Sequence, residues 1–517
     1  MNENKFNPGL QIEKLIRYGL NNNLIEGWDT LIVRNQLLNM FRLNQPYNKK
    51  IELDNNESIQ EILDPLVDYA YKKDLIEKNS VTFRDLFDTK IMGELMPRQS
   101  EISNKFWNLT KEKGIKSATK WFYNLSWKSN YIRADRISKN EKWSYDTEYG
   151  ELEITINLSK PEKDPDDIAK AKSMESSDYP KCALCPENAG YPGRLDHPAR
   201  DNHRLIPIRL EKEQWFFQFS PYVYYNEHSI VLAKDHEDMR IDKDSFKKLF
   251  DFIEEFPHYF IGSNADLPLV GGSILNHNHF QAGNHIFPMD GAENLKKYNH
   301  KDYSDVNISR LKWPLTVIRL SSKSNSQIID LATKILSKWR KYSDSTNNII
   351  AKTEVNGEKK EHNTVTPIAR INSNNEYELD IVLRNNRKND EYPDGIFHPH
   401  KDLHHIKKEN IGLIEVMGLA ILPGRLKNEL KIINEYLTGN RKYQSKEIPE
   451  EIKAHQQWLE DLFSKYGDNL NEDGAFKILE KEVGNKFKNV LEDAGVYKLN
   501  EKGKNGFERF LAQVGVE

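Results

Sequence analysis

The stretch from Asp266 to Gly283, DLPLVGGSILNHNHFQAG, constrains this chain more than any other. An apolar run is broken by Gly271 and Gly272 and leads into His277-Asn278-His279. On an extended strand side chains alternate, so the two imidazoles point to the same face. One can hold a metal while the other reacts. Adjacent glycines carry no Cβ, so the backbone can approach a bulky anionic group, and amides left free in such a turn bind phosphate oxygens.

His279 is the candidate nucleophile. An unperturbed imidazole is mostly neutral at pH 7, and one ring nitrogen can attack phosphorus without a separate base. The N–P bond that results is labile, which suits a phosphoryl-type group that must be handed on. Gln281, two residues further along the same face, is placed to hydrogen-bond a non-bridging phosphate oxygen.

The chain has 517 residues, more than one hydrophobic core usually supports, so two or three domains are expected. A net charge of -4 gives no overall attraction to nucleic acid or an anionic membrane, and any anion site must be local. No run approaches the length of a membrane span, and the start MNENKFNPGL lacks the pattern of a signal peptide. A cytoplasmic protein with neither nucleic acid nor membrane as partner is the expectation.

Two cysteines, Cys182 and Cys185, are too few and too close for a disulfide framework. Their CxxC spacing is half of a tetrahedral zinc site, with a redox pair or buried thiols as the alternatives. A zinc site needs two more ligands. His228, after a strand expected at Trp215–Phe219, and His277 are the best candidates, and a Cys2His2 set would be closed and structural.

Along the chain, residues 1–125 place apolar residues three and four apart and read as a helical layer. Leu152, Ile154, Ile156 and Leu158 then alternate with polar residues, the period of a half-buried strand, which Lys160-Pro161-Glu162-Lys163-Asp164-Pro165 should end. Further strands are expected at Trp215–Phe219 and Ser229–Ala233, and a helix around Phe246–Phe256 that stops at Pro257. Val365–Ile371 and Tyr377–Leu383 signal a second sheet region, with a buried helix expected over Gly412–Leu422. Beyond residue 427 the pattern is of charged amphipathic helices. The segments are therefore 1–125, a helical layer; 126–300, the catalytic region; 301–426, a second sheet region; and 427–517, a helical tail. His398, His400, His404 and His405 form a second histidine cluster for a metal or a substrate, and Arg133, Arg136 and Arg204 are local cations.

With these residues in view, the chain resembles the class II galactose-1-phosphate (hexose-1-phosphate) uridylyltransferases, which are related to the histidine-triad superfamily. The resemblance runs through YGLNNNLIEGWDTL, LMPRQSEI, NYIRADRI, TEYGELEITINLSKPEKDP, SPYVYYNEHSIVL, the histidine stretch itself and HHIKKENIGLIEVMGLAILPGRL, to about residue 430. Departures within the histidine stretch are Leu269, Asn276 and Ala282, and none removes a reacting group. The resemblance implies an α+β fold with two histidine-triad-like antiparallel-sheet regions, an added N-terminal helical layer and a C-terminal helical tail. It implies that His279 carries a uridylyl group, that Gln281 contacts the transferred phosphate, and that Asn264, Gly272, Ser273, Lys160 and Lys163 meet substrate. It also implies a structural zinc on Cys182, Cys185, His228 and His277, and leaves a second metal at His398 and His400 open. The expected reaction moves UMP between UDP-glucose and galactose 1-phosphate, with hexose 1-phosphates and UDP-sugars as partners; a homodimer is left open. The alternatives are a histidine-triad nucleotide hydrolase or phosphorylase, in which water or phosphate takes the intermediate, and a nucleotide-sugar-binding protein without turnover.

Overall fold

The computed structural model describes residues 6–49, 51, 57–159, 164–174, 177–272, 274–355, 357–443 and 448–517. They fall into two compact units, one built from Met1–Lys139, Ser159–Val223 and Glu227–Glu237, the other from Asn140–Leu158, Tyr224–Asn226 and Asp238–Glu517.

The first unit opens with the expected helices, at Pro8–Asn21, Thr30–Met40, Ile59–Lys72, Val81–Gly93, Gln99–Lys113 and Ile115–Lys128. Their starts follow from local chemistry. Asn7 caps the first, with proline at its first position, and Ser58 and Glu61 form a capping box on the third. Apolar residues at helical spacing then turn inward, as Ile62, Leu63, Leu66, Val67 and Ala70 do. The unit also holds an antiparallel sheet of Ile206–Leu210, Glu213–Phe219 and Ser229–Ala233. Trp215, Phe217 and Phe219 are buried on the middle strand.

The second unit contains seven antiparallel strands in the order His279–Gly283, Phe260–Gly262, Asn363–Ile371, Tyr377–Asn385, Val317–Ser322, Asn307–Leu311, Asn294–Tyr298. Helix Lys243–Glu255 ends just before Pro257, as expected, and packs with Asn325–Trp339 and with strand Asn363–Ile371. The alternating segment forms Gly150–Asn157, with Leu152, Ile154 and Ile156 buried. It pairs antiparallel with Glu141–Thr147 and parallel with Leu419–Pro423.

That last strand corrects an expectation. Gly412–Leu422 is not one buried helix but a short helix, Leu413–Val416, then a turn and a strand. Gly418, at φ +103, takes the left-handed region that makes the turn, and its neighbour Leu419 then starts the parallel pairing. A run whose one polar side chain is Glu415 has no period to separate helix from strand. Helices Leu426–Leu437, Gln456–Tyr466, Glu472–Ala494 and Glu501–Val514 make up the C-terminal part. Among the described residues no helix is long and apolar enough to cross a membrane.

Candidate active site

His279 begins the strand His279–Gly283, and Gln281 pairs with Gly262 on the neighbouring strand. His279 is 6 % exposed. Its Nδ1 lies 2.8 Å from the backbone carbonyl of His277. A carbonyl only accepts, so Nδ1 carries the ring proton and Nε2 keeps a lone pair. Burial lowers the ring's pKa to about 4, the carbonyl pulls it back up, and the nearby His277 ring pushes it down further. The imidazole is therefore neutral at pH 7, the state a nitrogen nucleophile needs.

Gln281 Oε1 is buried and has no hydrogen-bond partner among the described residues. A buried amide end without a partner costs stability unless something else satisfies it. It shares a strand face with His279.

The two glycines are explained by close approach. A Cβ on Gly271 would stand 2.3 Å from the carbonyl oxygen of Ala265, and one on Gly272 would stand 2.6 Å from Nδ2 of Asn264. Asn264 is buried, and its Oδ1 accepts from the Leu413 amide at 2.8 Å. Its Nδ2 makes no hydrogen bond among the described residues, so it is a donor left beside the glycine turn. Asp266 pins the same turn, accepting from the Ile241 amide at 3.0 Å, from Arg340 at 2.9 Å and from the Thr364 hydroxyl. Lys160, Lys163 and Ser273, the other expected substrate contacts, lie outside the described residues.

In the first unit Cys182, Cys185 and His236 gather as donors that could hold a metal. Within the first unit, the two sulfurs are 3.6 Å apart and Cys185 Sγ is 3.2 Å from Nδ1 of His236. A tetrahedron with metal–sulfur bonds of about 2.3 Å and metal–nitrogen bonds of about 2.0 Å has edges of roughly 3.5–3.8 Å. The soft, mixed thiol and imidazole donors fit zinc in kind as well as in spacing. Burial pushes the Cys185 thiol up to about 11, so it becomes a thiolate ligand only under the field of a cation.

His228, the fourth ligand expected from sequence, is not in this group; His236 takes its place. His228 is buried just before strand Ser229–Ala233, and its carbonyl accepts from the Ser220 amide. His236 follows the end of that strand, which brings its ring back toward the CxxC turn. Both histidines flank one strand, and only the pairing of that strand distinguishes them.

The second histidine cluster does not gather either. His398 and His404 each contact the Pro399 carbonyl, His400 faces Asp493, and His405 Nδ1 lies 2.7 Å from Nδ1 of His455. The local cations are committed as well. Arg133 pairs with both oxygens of Asp88 at 2.6 Å, Arg136 pairs with Asp85, and Arg204 donates to three backbone carbonyls. In the first unit a cavity of about 720 Å³ has Arg194, Arg200 and His197 beside Arg133, Arg136 and Asp85 in a lining that is mostly apolar, a concavity that no motif in the sequence announces.

Comparison with known proteins gives two matches to family models: galactose-1-phosphate uridyl transferase, N-terminal domain, over residues 24–238, and the C-terminal domain of the same family over residues 251–453. A galactose-1-phosphate uridylyltransferase of Caldanaerobacter subterraneus subsp. tengcongensis is 53% identical over 507 residues, 98% of this chain and 97% of that protein. Those of Clostridium acetobutylicum and Bacillus subtilis are 50% and 47% identical, covering 97% and 98% of this chain and 99% and 98% of theirs. A crystal structure of yeast Ap4A phosphorylase is similar at a TM-score of 0.32 and 14% identity, over 64% of this chain and 89% of that one.

Proposed function

Because the chain belongs to the galactose-1-phosphate uridylyltransferase family, we propose that it exchanges UMP between UDP-glucose and galactose 1-phosphate through a uridylyl group carried on Nε2 of His279. The observation that carries this reading is the hydrogen bond from His279 Nδ1 to the His277 carbonyl, which leaves Nε2 as the neutral, unprotonated nitrogen.

The two half-reactions then need no proton transfer. Nε2 attacks the α-phosphorus of UDP-glucose, the bond from that phosphorus to the bridging oxygen breaks, and glucose 1-phosphate leaves with the electron pair. The ring, now bonded to phosphorus while Nδ1 keeps its proton, is cationic, and the His277 carbonyl stabilises that charge. A phosphate oxygen of galactose 1-phosphate attacks in turn, UDP-galactose leaves, and the ring returns to neutral. Gln281 is proposed to donate from Nε2 to a non-bridging oxygen of the transferred phosphate. Asn264 Nδ2, Gly272, Ser273, Lys160 and Lys163 complete the proposed substrate contacts. The two sugar phosphates are near-identical leaving and attacking groups, so one site serves both steps.

Zinc on Cys182, Cys185, His236 and His277 is part of the proposal. It would supply no bond-making step; it would hold the residue whose carbonyl orients His279. The segments bounded at residues 125, 300 and 426 are proposed as helical layer, catalytic region, second sheet region and tail. A cytoplasmic location belongs to the same reading, since charged sugar phosphates do not cross membranes unaided.

Uridine-labelled UDP-glucose tests the mechanism. Label should stay on the protein, be discharged by galactose 1-phosphate and not by water, and be absent from His279→Ala. Rapid release of free UMP without a sugar acceptor would instead favour the hydrolase reading.

A further inference from the structure

One row of directly opposed residues crosses the seven-stranded sheet of the second unit. Gln281 opposes Gly262, which opposes Ile368; Ile368 opposes Asp380, Asp380 opposes Arg319, Arg319 opposes Ser309, and Ser309 opposes Lys297. Directly opposed residues share a face of the sheet. Ser309 therefore stands on the same face as Gln281, five strand spacings away, a lateral separation of about 24 Å.

At that far end is a cavity of about 350 Å³ that the proposed uridylyl transfer does not use. Its size lies in the range of small-molecule sites. Its lining is mostly amide, hydroxyl and charged, and its charged members are two bases, Lys297 and Arg319, and two acids, Glu376 and Glu378. Glu378 is 8 % exposed. Its Oε1 accepts from Arg370 at 2.6 Å, while Oε2 has no hydrogen bond among the described residues. Ser309, also 8 % exposed, uses its hydroxyl in no side-chain hydrogen bond among them, and Lys297 makes no ion pair among them. A carboxylate oxygen that no protein donor takes, open to a cavity wall, is available to a donor from a ligand.

We propose that this cavity binds a neutral polyhydroxylated molecule, such as a free hexose, at a second site separate from that of the transferred UMP. Sugar hydroxyls both donate and accept, which matches a wall offering a carboxylate that only accepts, an ammonium that only donates, and amides and hydroxyls that do both. The balanced charge selects for neutrality. An anion would meet Glu376 and Glu378, and a cation would meet Lys297 and Arg319. The mostly polar lining, with Tyr298, Val306 and Ile308 as its apolar members, argues against a greasy ligand, whose burial needs apolar walls.

The site is tested by titrating free galactose and free glucose into the full-length protein held saturated with UDP-glucose, read by saturation-transfer NMR. Neither sugar carries the phosphate that accepts UMP, so the reading does not depend on turnover or on the role of His279. Saturable binding that persists under UDP-glucose and weakens about tenfold in both Ser309→Val and Glu378→Gln is expected. Circular dichroism checks that each variant folds; Ser309→Val, which leaves the surrounding ion pairs intact, decides the matter if Glu378→Gln does not fold. Absence of saturable binding, displacement by UDP-glucose, insensitivity to Ser309→Val, or stronger binding of inorganic phosphate or calcium than of either hexose would each overturn the proposal.

Discussion

Cys185 Sγ lies 3.2 Å from Nδ1 of His236, closer than any purely apolar packing of a thiol against an imidazole would require. With Cys182 at 3.6 Å from the same sulfur, three zinc-type donors share one corner of the first unit. Metal analysis of purified protein should find about one zinc per chain. His236→Ala should lower that content together with the melting temperature, because structural zinc contributes folding free energy directly. His228→Ala should leave zinc content unchanged, and loss of metal in that variant would refute the ligand set.

Gln281→Ala removes the side-chain amide proposed to donate from Nε2 to the transferred phosphate. If that amide meets the phosphoryl group as charge builds on it, the loss falls on the transition state. Exchange between UDP-glucose and galactose 1-phosphate should drop roughly 10²–10³-fold in kcat with little change in KM. A rise in KM at constant kcat would instead give Gln281 a ground-state binding role.

How much of this was legible in the sequence depends on whether the signal is local. The alternation of Leu152, Ile154 and Ile156 and the stop at Pro257 act within a few residues, and each appears where the pattern puts it. The pairing of His279 with Gln281 across one strand face is equally local. His236 was missed because ligand chemistry admits any histidine near a strand end; choosing between it and His228 requires knowing how Ser229–Ala233 pairs with Glu213–Phe219. The four histidines at 398–405 looked like a site because they are adjacent in sequence, yet Asp493 and His455, about 90 and 50 residues away, take two of them. In Gly412–Leu422 the one polar side chain, Glu415, is too little to reveal a period.

Gly271 should tolerate no side chain. A Cβ there would meet a backbone carbonyl oxygen, Ala265 O, at 2.3 Å, and backbone cannot swing aside as a flexible side chain can. Gly271→Ala should cost about 1–3 kcal/mol and displace the turn that leads to His279, so exchange should fall along with thermal stability. Gly291→Ala is the control, since a Cβ there meets nothing within 4 Å. Its melting temperature should stay close to that of the wild type.

His203 sets a pH dependence of stability. Burial, with Arg200 and Arg204 adding positive charge nearby, pushes its pKa down to about 3, while the contact of Nε2 with Gln218 Oε1 at 2.9 Å pulls it up. Tyr131 stacks on the ring at 4.4 Å and leaves no room for a counterion on that side. Unfolded, the same imidazole titrates near 6.5. Between about pH 3 and pH 6.5 the unfolded chain therefore binds one more proton than the folded chain at this position. Stability must rise with pH through that window, by up to about 1.4 kcal/mol per unit from this group, and level off above it. His203→Phe keeps the stacking with Tyr131 but removes the titration. It should be less stable than the wild type at pH 7.5, where Gln218 loses its partner, yet lose less on acidification. Urea unfolding at pH 4.5 and pH 7.5 checks both parts; an acid loss in the variant equal to that of the wild type would show that His203 is not the group responsible.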